Sequence, residues 1–199
     1  MQTLDLTEDE KDVLQELMNV AYGNATAVVA EMLNAFASLS IPNIKVIQTD
    51  ELLATFSELK SESYFFSTQA FNGEFKGESA FFINQTSANN LAKHLELDSS
   101  EDLDDAILEL TNVLTSTLTT KLSQEMDTEV SFSLPSLSKI PLQEIGKTPA
   151  FEYYSQVIVI DTDLNFKDQQ IHGKIFIVTK DESIQWLKTK LNSILELLI

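Results

Sequence analysis

The chain contains no cysteine among its 199 residues. This absence excludes disulfide bonds, a thiolate nucleophile and zinc bound through sulfur, because each of these requires a cysteine side chain. A chain of this kind is compatible with a reducing compartment, and we expect a cytoplasmic protein.

Arginine is missing as well: all 13 basic residues are lysines, against 31 acidic residues, and the formal net charge is −18. Proteins that bind nucleic acids usually carry basic surfaces, in which the planar arginine fork suits phosphates and base edges. We therefore expect no nucleic-acid partner.

Long apolar runs are absent too. No stretch approaches the roughly 18 consecutive apolar residues of a membrane span, and the N-terminal residues lack the pattern of a signal peptide. Hydrophobic residues make up 43% and charged residues 22% of the chain, which is typical of a globular protein. The sequence predicts no membrane insertion.

Common catalytic and metal motifs are also lacking. There is no Gly-x-Ser-x-Gly elbow, phosphate-binding loop or Gly-x-Gly-x-x-Gly turn. The two histidines, His94 and His172, have no paired metal-ligand spacing, and we predict no metal site. Asp161 and Asp163 begin a spacing similar to a calcium loop, but Phe166 stands where that loop needs glycine, so we interpret this segment as a turn between strands.

One sparse pattern occurs twice, at a constant offset of 93 residues. Its members are Asp12, Glu16, Asn19 and Pro42 in the first copy, and Asp105, Glu109, Asn112 and Pro135 in the second. Such a set should arise by chance on the order of once per 10^5 starting positions. The repetition therefore indicates shared ancestry, shared function or both.

Helical geometry places the polar members of each copy on one stripe. At about 100° per residue, positions i, i+4 and i+7 fall within a narrow arc. One further turn reaches Gly23 in the first copy and Ser116 in the second, both small enough to leave the polar groups uncovered. A single copy would be read as an ordinary solvated helix face, but two copies favour a pair of binding or catalytic stripes.

The proline of each copy has a structural interpretation. It lies far from the stripe in sequence, so its fixed spacing suggests a fixed supersecondary unit in which Pro42 and Pro135 precede a strand. A pair of glycosidase carboxylates, Glu16 and Glu109, is disfavoured because separate helices give no reason for the short distance that this chemistry needs.

Hydrophobic periodicity predicts the same order of elements in two halves, about 1–98 and 99–199. The first half has a helix from Thr7 to about Ala37, a strand over 44–47, a hairpin over 64–71 and 75–83, and a helix over 86–97. The second has a helix over 103–124, an extended segment over 130–134, a weakly patterned loop to 149, strands over 151–160 and 171–178, and a helix over 183–199.

These elements predict an α+β fold in a single pseudo-twofold domain. Neither half can bury a sheet face alone, so we expect one antiparallel sheet with the long helices packed on it. The C-terminal helix should dock on the chain's own core, with a dimer surface as the alternative. The closed internal symmetry is compatible with a monomer.

The repeated pattern resembles the signature Asp/Ser-x3-Glu-x2-Asn-x22-Pro of the CheC, CheX and FliY phosphatases of bacterial chemotaxis. The run from Asn19 to Ala25 is similar to the family's Asn-Ile-Gly-Ala-Gly-Asn-Ala segment, and Val46 and Glu51-Leu52 fit its following strand. In the second copy Asn112 is followed by Val-Leu-Thr-Ser, without a glycine. The resemblance extends over nearly the whole chain and is closest to CheC.

The resemblance implies a hydrolase that acts on the aspartyl phosphate of a CheY-type receiver. Asn19 and Asn112 would orient the attacking water, and Glu16 and Glu109 would pair with the receiver's lysine. Asp12, Gly23, Asp105 and Ser116 would contribute to the docking surface. The protein would need no cofactor of its own, because Mg2+ stays on the receiver.

Two alternatives stay open. The same stripes could recognise a receiver or a regulatory partner without speeding dephosphorylation, which would make the chain a noncatalytic binding module. The receptor deamidase CheD, which some CheC proteins bind, is a second candidate partner, although no motif in the chain reports that contact.

Overall fold

The computed structural model describes residues 5–48, 51, 63–141, 156–179 and 181–198. The helices are α1 (Glu8–Met32), α2 (Gln85–His94), α3 (Ser100–Glu125) and α4 (Asp181–Leu198). The strands are β1 (Ser38–Leu39), β2 (Asn43–Gln48), β3 (Ser63–Gly73), β4 (Gly77–Asn84), β5 (Val130–Phe132), β6 (Ser136–Pro141), β7 (Gln156–Phe166) and β8 (Ile171–Thr179).

Capping residues set the ends of α1. Thr7 accepts a hydrogen bond from the Glu10 N–H at 3.2 Å, and Glu10 Oε2 accepts one from the Thr7 N–H at 2.7 Å, which forms a capping box. The predicted start at Thr7 is confirmed. The helix ends at Met32 rather than near Ala37, because the chain turns at Asn34, whose φ of 45° is left-handed.

Within the described ranges, the strands form one eight-stranded antiparallel sheet. The order is β1-β7-β8-β4-β3-β5, with β2 also pairing with β7 and β6 also pairing with β3. The helices α1 and α3 pack against each other, and α3 lies against β3. The predicted α+β fold, with long helices on an antiparallel sheet, is therefore confirmed.

Strand register repeats with the same offset as the sequence pattern. Ser38 lies opposite Asn165 in the β1–β7 pair, and Ser131 lies opposite Asn72 in the β5–β3 pair. The β2–β7 and β6–β3 pairs correspond in the same way. Each half thus supplies edge strands to a long strand of the other half, while the common ancestry of the halves stays a prediction.

Two edge strands were not predicted. The sequence predicts a loop where β6 forms, and it predicts no element for β1, which lies between the predicted end of the first helix near Ala37 and the predicted strand over 44–47. Leu137 and Ile140 are the apolar residues of β6 apart from its terminal proline, so its sequence carries little periodicity. Backbone pairing with β3 makes it a strand, and an edge position tolerates both its polar residues and its proline. Residues 142–155 of the expected loop and strand lie outside the described part.

The sheet has an apolar cluster on each face. Phe65 and Phe71 belong to the larger cluster, which the helices cover, whereas the adjacent Phe66 belongs to a smaller cluster on the opposite face. Val159 and Val178 of β7 and β8 also lie in the smaller cluster. Burial of both faces explains why these strands read as nearly continuous hydrophobic runs.

The C-terminal helix docks on the chain's own core, as predicted. Ile184, Leu187 and Leu191 are fully buried, and the Trp186 ring lies 6.5 Å from the Phe75 ring. None of the helices in the described ranges has the combination of length and apolar character needed to cross a bilayer.

The predicted turn between the two strands is confirmed at 167–170, but it is shorter than expected, because Asp161 and Asp163 lie within β7. Their carboxylates face the Lys174 ammonium on β8, at 3.1 Å and 3.9 Å. Among the described residues, no cluster of three or more acidic or histidine side chains is arranged to hold a metal.

Candidate functional site

The first stripe lies on the solvent side of α1. Asp12, Glu16 and Asn19 are all exposed, while Leu14 and Met18 between them are fully buried. The amphipathic spacing of α1 therefore turns its carboxylates and its amide outward together. Within the described part of the chain, the Asn19 amide has no hydrogen-bond partner.

Gly23 continues this stripe by one turn and is exposed. A Cβ placed on Gly23 would meet no atom within 4 Å, so packing in the described part of the chain gives no reason for a glycine there. A glycine inside a helix costs roughly 1 kcal/mol relative to alanine. This cost without an internal packing reason is consistent with close approach by another molecule.

A cavity of about 450 Å³ opens beside this end of the stripe. Asn19 and Gly23 line it from α1, and Phe36 and Ile41 line it from the connection to β2. Phe36 is 77% exposed and Ile41 is 72% exposed. The polar stripe and an open apolar surface therefore adjoin each other at this site.

The second stripe lies on α3 and is less open. Asp105 and Glu109 are exposed, but Asn112 is half-buried. Ser116 is also half-buried, and it lines a groove between α1 and α3 together with Asn24 of α1. The sequence placed Gly23 and Ser116 in equivalent positions, and in the structure Gly23 is exposed whereas Ser116 is half-buried.

A buried glutamine contacts the second asparagine. Gln69, on β3, is 1% exposed, and its Nε2 donates to Asn112 Oδ1 at 2.8 Å and to the Ser133 carbonyl at 2.9 Å. Sequence reasoning missed Gln69. The sequence feature that could have identified it is a polar residue at a position of β3 that faces the core, in line with the core residues Phe65 and Phe71.

The motif prolines lie directly before edge strands. Pro42 is buried and precedes β2, and half-buried Pro135 precedes β6. The residue before each proline is a large exposed hydrophobic: Ile41, at 72%, and Leu134, at 91%. Gln69 bonds both Asn112 and the carbonyl of Ser133, and Leu134 is the next residue, so Leu134 lies near Asn112. At the first site Ile41 and Asn19 line the same cavity.

The two stripes lie on separate helices, and each has its own surroundings. A carboxylate, an amide and an exposed apolar side chain come together at each site, on a rigid framework of helix and edge strand. Such a surface can bind another protein and present an amide to a group on it.

Comparison with known proteins agrees with the repeated pattern. No protein-family model matches the chain. The chain is 22% identical over 198 residues to the CheY-P phosphatase CheC of Bacillus subtilis (strain 168), across 92% of this chain and 93% of the relative. The chain is CheC-like in sequence and fold.

Solved structures show the same fold. The crystal structure of Thermotoga maritima FliY matches with a TM-score of 0.74 at 16% identity, covering 94% of this chain and 98% of that one. The FliM middle domain from H. pylori matches with a TM-score of 0.62 at 12% identity, covering 93% and 99%. The family resemblance predicted from the motif is confirmed, and the roles of the individual site residues stay predictions.

Proposed function

We propose that this CheC-like chain accelerates hydrolysis of the aspartyl phosphate on a CheY-type receiver of bacterial chemotaxis. The observation that carries the proposal is the duplicated surface: Glu16 with Asn19, and Glu109 with Asn112, at one spacing, each beside an exposed apolar residue that precedes a motif proline. The sequence similarity to a CheY-P phosphatase supports it.

Hydrolysis of an aspartyl phosphate requires few catalytic groups from this chain. In the reaction, a water oxygen bonds to phosphorus as the bond from phosphorus to the carboxylate oxygen breaks, which yields inorganic phosphate and an aspartate. An acyl phosphate is already activated, so the main requirement is a water held in line with the breaking bond. Mg2+ and a lysine on the receiver neutralise the developing charge, and no nucleophile from this chain takes part.

The proposed roles follow from position. Asn19 and Asn112 orient the water through their amides, and Glu16 and Glu109 pair with the receiver's lysine. Asp12 and Asp105, one turn earlier, extend each docking surface. Gly23 allows close approach at the first site, and Ser116 contributes at the second where α1 and α3 meet.

The exposed apolar residues complete the docking surface. Ile41 and Leu134 stand at equivalent places, and both side chains are largely exposed. Apolar side chains at the centre of an interface supply affinity, while polar groups around them set register. A receiver that covers Ile41 or Leu134 would bring its phosphorylation site to the neighbouring asparagine.

The test is the decay of a phosphorylated CheY-type receiver with and without the protein. Asn19→Ala and Asn112→Ala should each lower the acceleration, and the double variant should abolish it. Loss of a water-positioning amide is expected to cost about a hundredfold at its own site. Circular dichroism on the double variant checks folding, since Asn19 is exposed and Asn112 half-buried.

No acceleration by the unmodified protein, with several receivers from one cell, would favour the noncatalytic binding module. The fold shared with the FliM middle domain supports that second candidate. It would bind the phosphorylated receiver through the same stripes and leave its lifetime unchanged. Titration with CheD tests the other partner, and absence of association would remove it.

A further inference from the structure

The two asparagines of the repeated motif are held differently, and the difference lies in the sheet beneath them. Position 69 of β3 corresponds to position 162 of β7 at the repeat offset. Gln69 donates to the Ser133 carbonyl at 2.9 Å, and Thr162 donates to the carbonyl of the equivalent Ser40 at 2.7 Å. Both residues therefore anchor the loop before a motif proline.

Only the glutamine also reaches the asparagine. Its second N–H donates to Asn112 Oδ1 at 2.8 Å. The hydroxyl of Thr162 has a single hydrogen, which the Ser40 carbonyl occupies. Within the described part of the chain Asn19 has no corresponding partner.

The Ser133 carbonyl fixes the orientation of both amides. A backbone carbonyl can only accept a hydrogen bond, so the Gln69 NH2 group must face it, and a flipped Gln69 would place two oxygens against each other. The same NH2 group then requires an acceptor on Asn112, which turns Asn112 Oδ1 inward. Asn112 Nδ2, a donor, is left pointing away from Gln69.

We propose that Gln69 is a positioning residue of the second site, which holds the Asn112 amide with its NH2 group presented to the partner. Among the described residues none holds the Asn19 amide in this way, so we expect that amide to sample both orientations. This inference rests on the proposed function for its kinetic consequence, but not for its structural content. At the second site a water would accept a hydrogen bond from Nδ2 through one lone pair and keep another for attack.

Side-chain amide relaxation by 15N NMR on the free protein tests the positioning without any receiver. The Asn112 NH2 group should be markedly more ordered than that of Asn19, and Gln69→Leu should lower its order to the Asn19 level. Thr162→Val is the matched control, because it removes the equivalent donor to the loop without touching an asparagine. It should leave Asn19 as it was.

Kinetics then test the consequence at each site separately. In an Asn19→Ala background, which leaves the second site, Gln69→Leu should lower kcat by about tenfold. Affinity for the receiver in its beryllofluoride-bound form, a stable mimic of the phosphate, should not change. In an Asn112→Ala background the same substitution should leave kcat unaltered.

Three results would overturn the proposal. They are an Asn112 amide as mobile as Asn19 in the unmodified protein, an Asn112 amide unaffected by Gln69→Leu, and an equal loss of kcat in both backgrounds, which would indicate general structural damage. If the unmodified protein does not accelerate decay at all, the proposed function fails, and the NMR comparison still decides whether Gln69 orients Asn112.

Discussion

Asn192 on α4 donates a hydrogen bond from its amide to Glu10 Oε1 on α1 at 2.8 Å. Glu10 is only 2% exposed, and its other carboxylate oxygen closes the capping box with Thr7. Lys188 lies 3.7 Å from the same carboxylate. One buried carboxylate thus joins the first turn of the helix that carries the first site to the C-terminal helix.

Removal of this contact should destabilise the fold without changing the sites. Asn192→Ala leaves a buried carboxylate short of one donor, and we expect a loss of about 1–2 kcal/mol in the free energy of unfolding. Urea denaturation measures it. Ser193→Ala, which alters an exposed neighbour on α4, is the control and should change stability by less than about 0.5 kcal/mol. Equal losses in the two variants would argue against a specific role for Asn192.

The stabilisation from Glu10 should depend on pH in a defined direction. Burial disfavours its carboxylate, but the Thr7 N–H, the Asn192 amide and the charge of Lys188 outweigh that effect and hold the pKa of Glu10 below its ordinary value of 4.5. A lowered pKa in the folded state contributes stability above 4.5 that is lost as the pH falls through the folded value.

Glu10→Gln should therefore cost stability near neutral pH, and the difference from the unmodified protein should shrink as the pH falls to about 3. The free energy of unfolding of both proteins across this range is the measurement. A difference that grows on acidification would contradict the assigned direction of the pKa shift.

Gly23→Ala should raise the stability of the fold and weaken binding of the receiver. The added methyl meets no atom within 4 Å, so the helix should gain roughly 1 kcal/mol of stability. If a receiver approaches this surface closely, its affinity for the first site should fall about tenfold, and Gly23→Gln should weaken it further. The receiver affinities of Gly23→Ala and Gly23→Gln are measured in the Asn112→Ala background, which leaves only the first site. Unchanged affinity in both variants would exclude close approach at Gly23.

Substitution of the exposed hydrophobic residues that precede the motif prolines should raise the Michaelis constant. Ile41→Ser, with only the first site intact, and Leu134→Ser, with only the second intact, should each raise KM about tenfold with little effect on kcat, because each removes an apolar contact. Leu197→Ser, at a residue that is 86% exposed on α4, is the control and should leave KM unaltered. A fall in kcat alone would assign Ile41 and Leu134 a role other than docking.

Local patterns in the sequence determined much of this molecule. Helical periodicity predicted α1 and α3, Thr7 identified the start of α1, and the Asn-Gly-containing turn predicted the β3–β4 hairpin. The constant offset of 93 residues identified Glu16, Asn19, Glu109 and Asn112 as candidate site residues. These features depend on residues close together in the chain or on direct repetition, which a single sequence displays.

Tertiary structure decided the features that depend on distant partners. The strand β6 exists because β3 pairs with it, although its own residues carry almost no β pattern. Gln69 and Asn112 meet across 43 positions of the sequence, and the Gln69 environment exists only after β3, α3 and the loop at Ser133 have assembled. Two stripes with the same residue types at the same spacing therefore have different surroundings, because the packing of the folded chain, and not helical spacing, sets their hydrogen-bond partners.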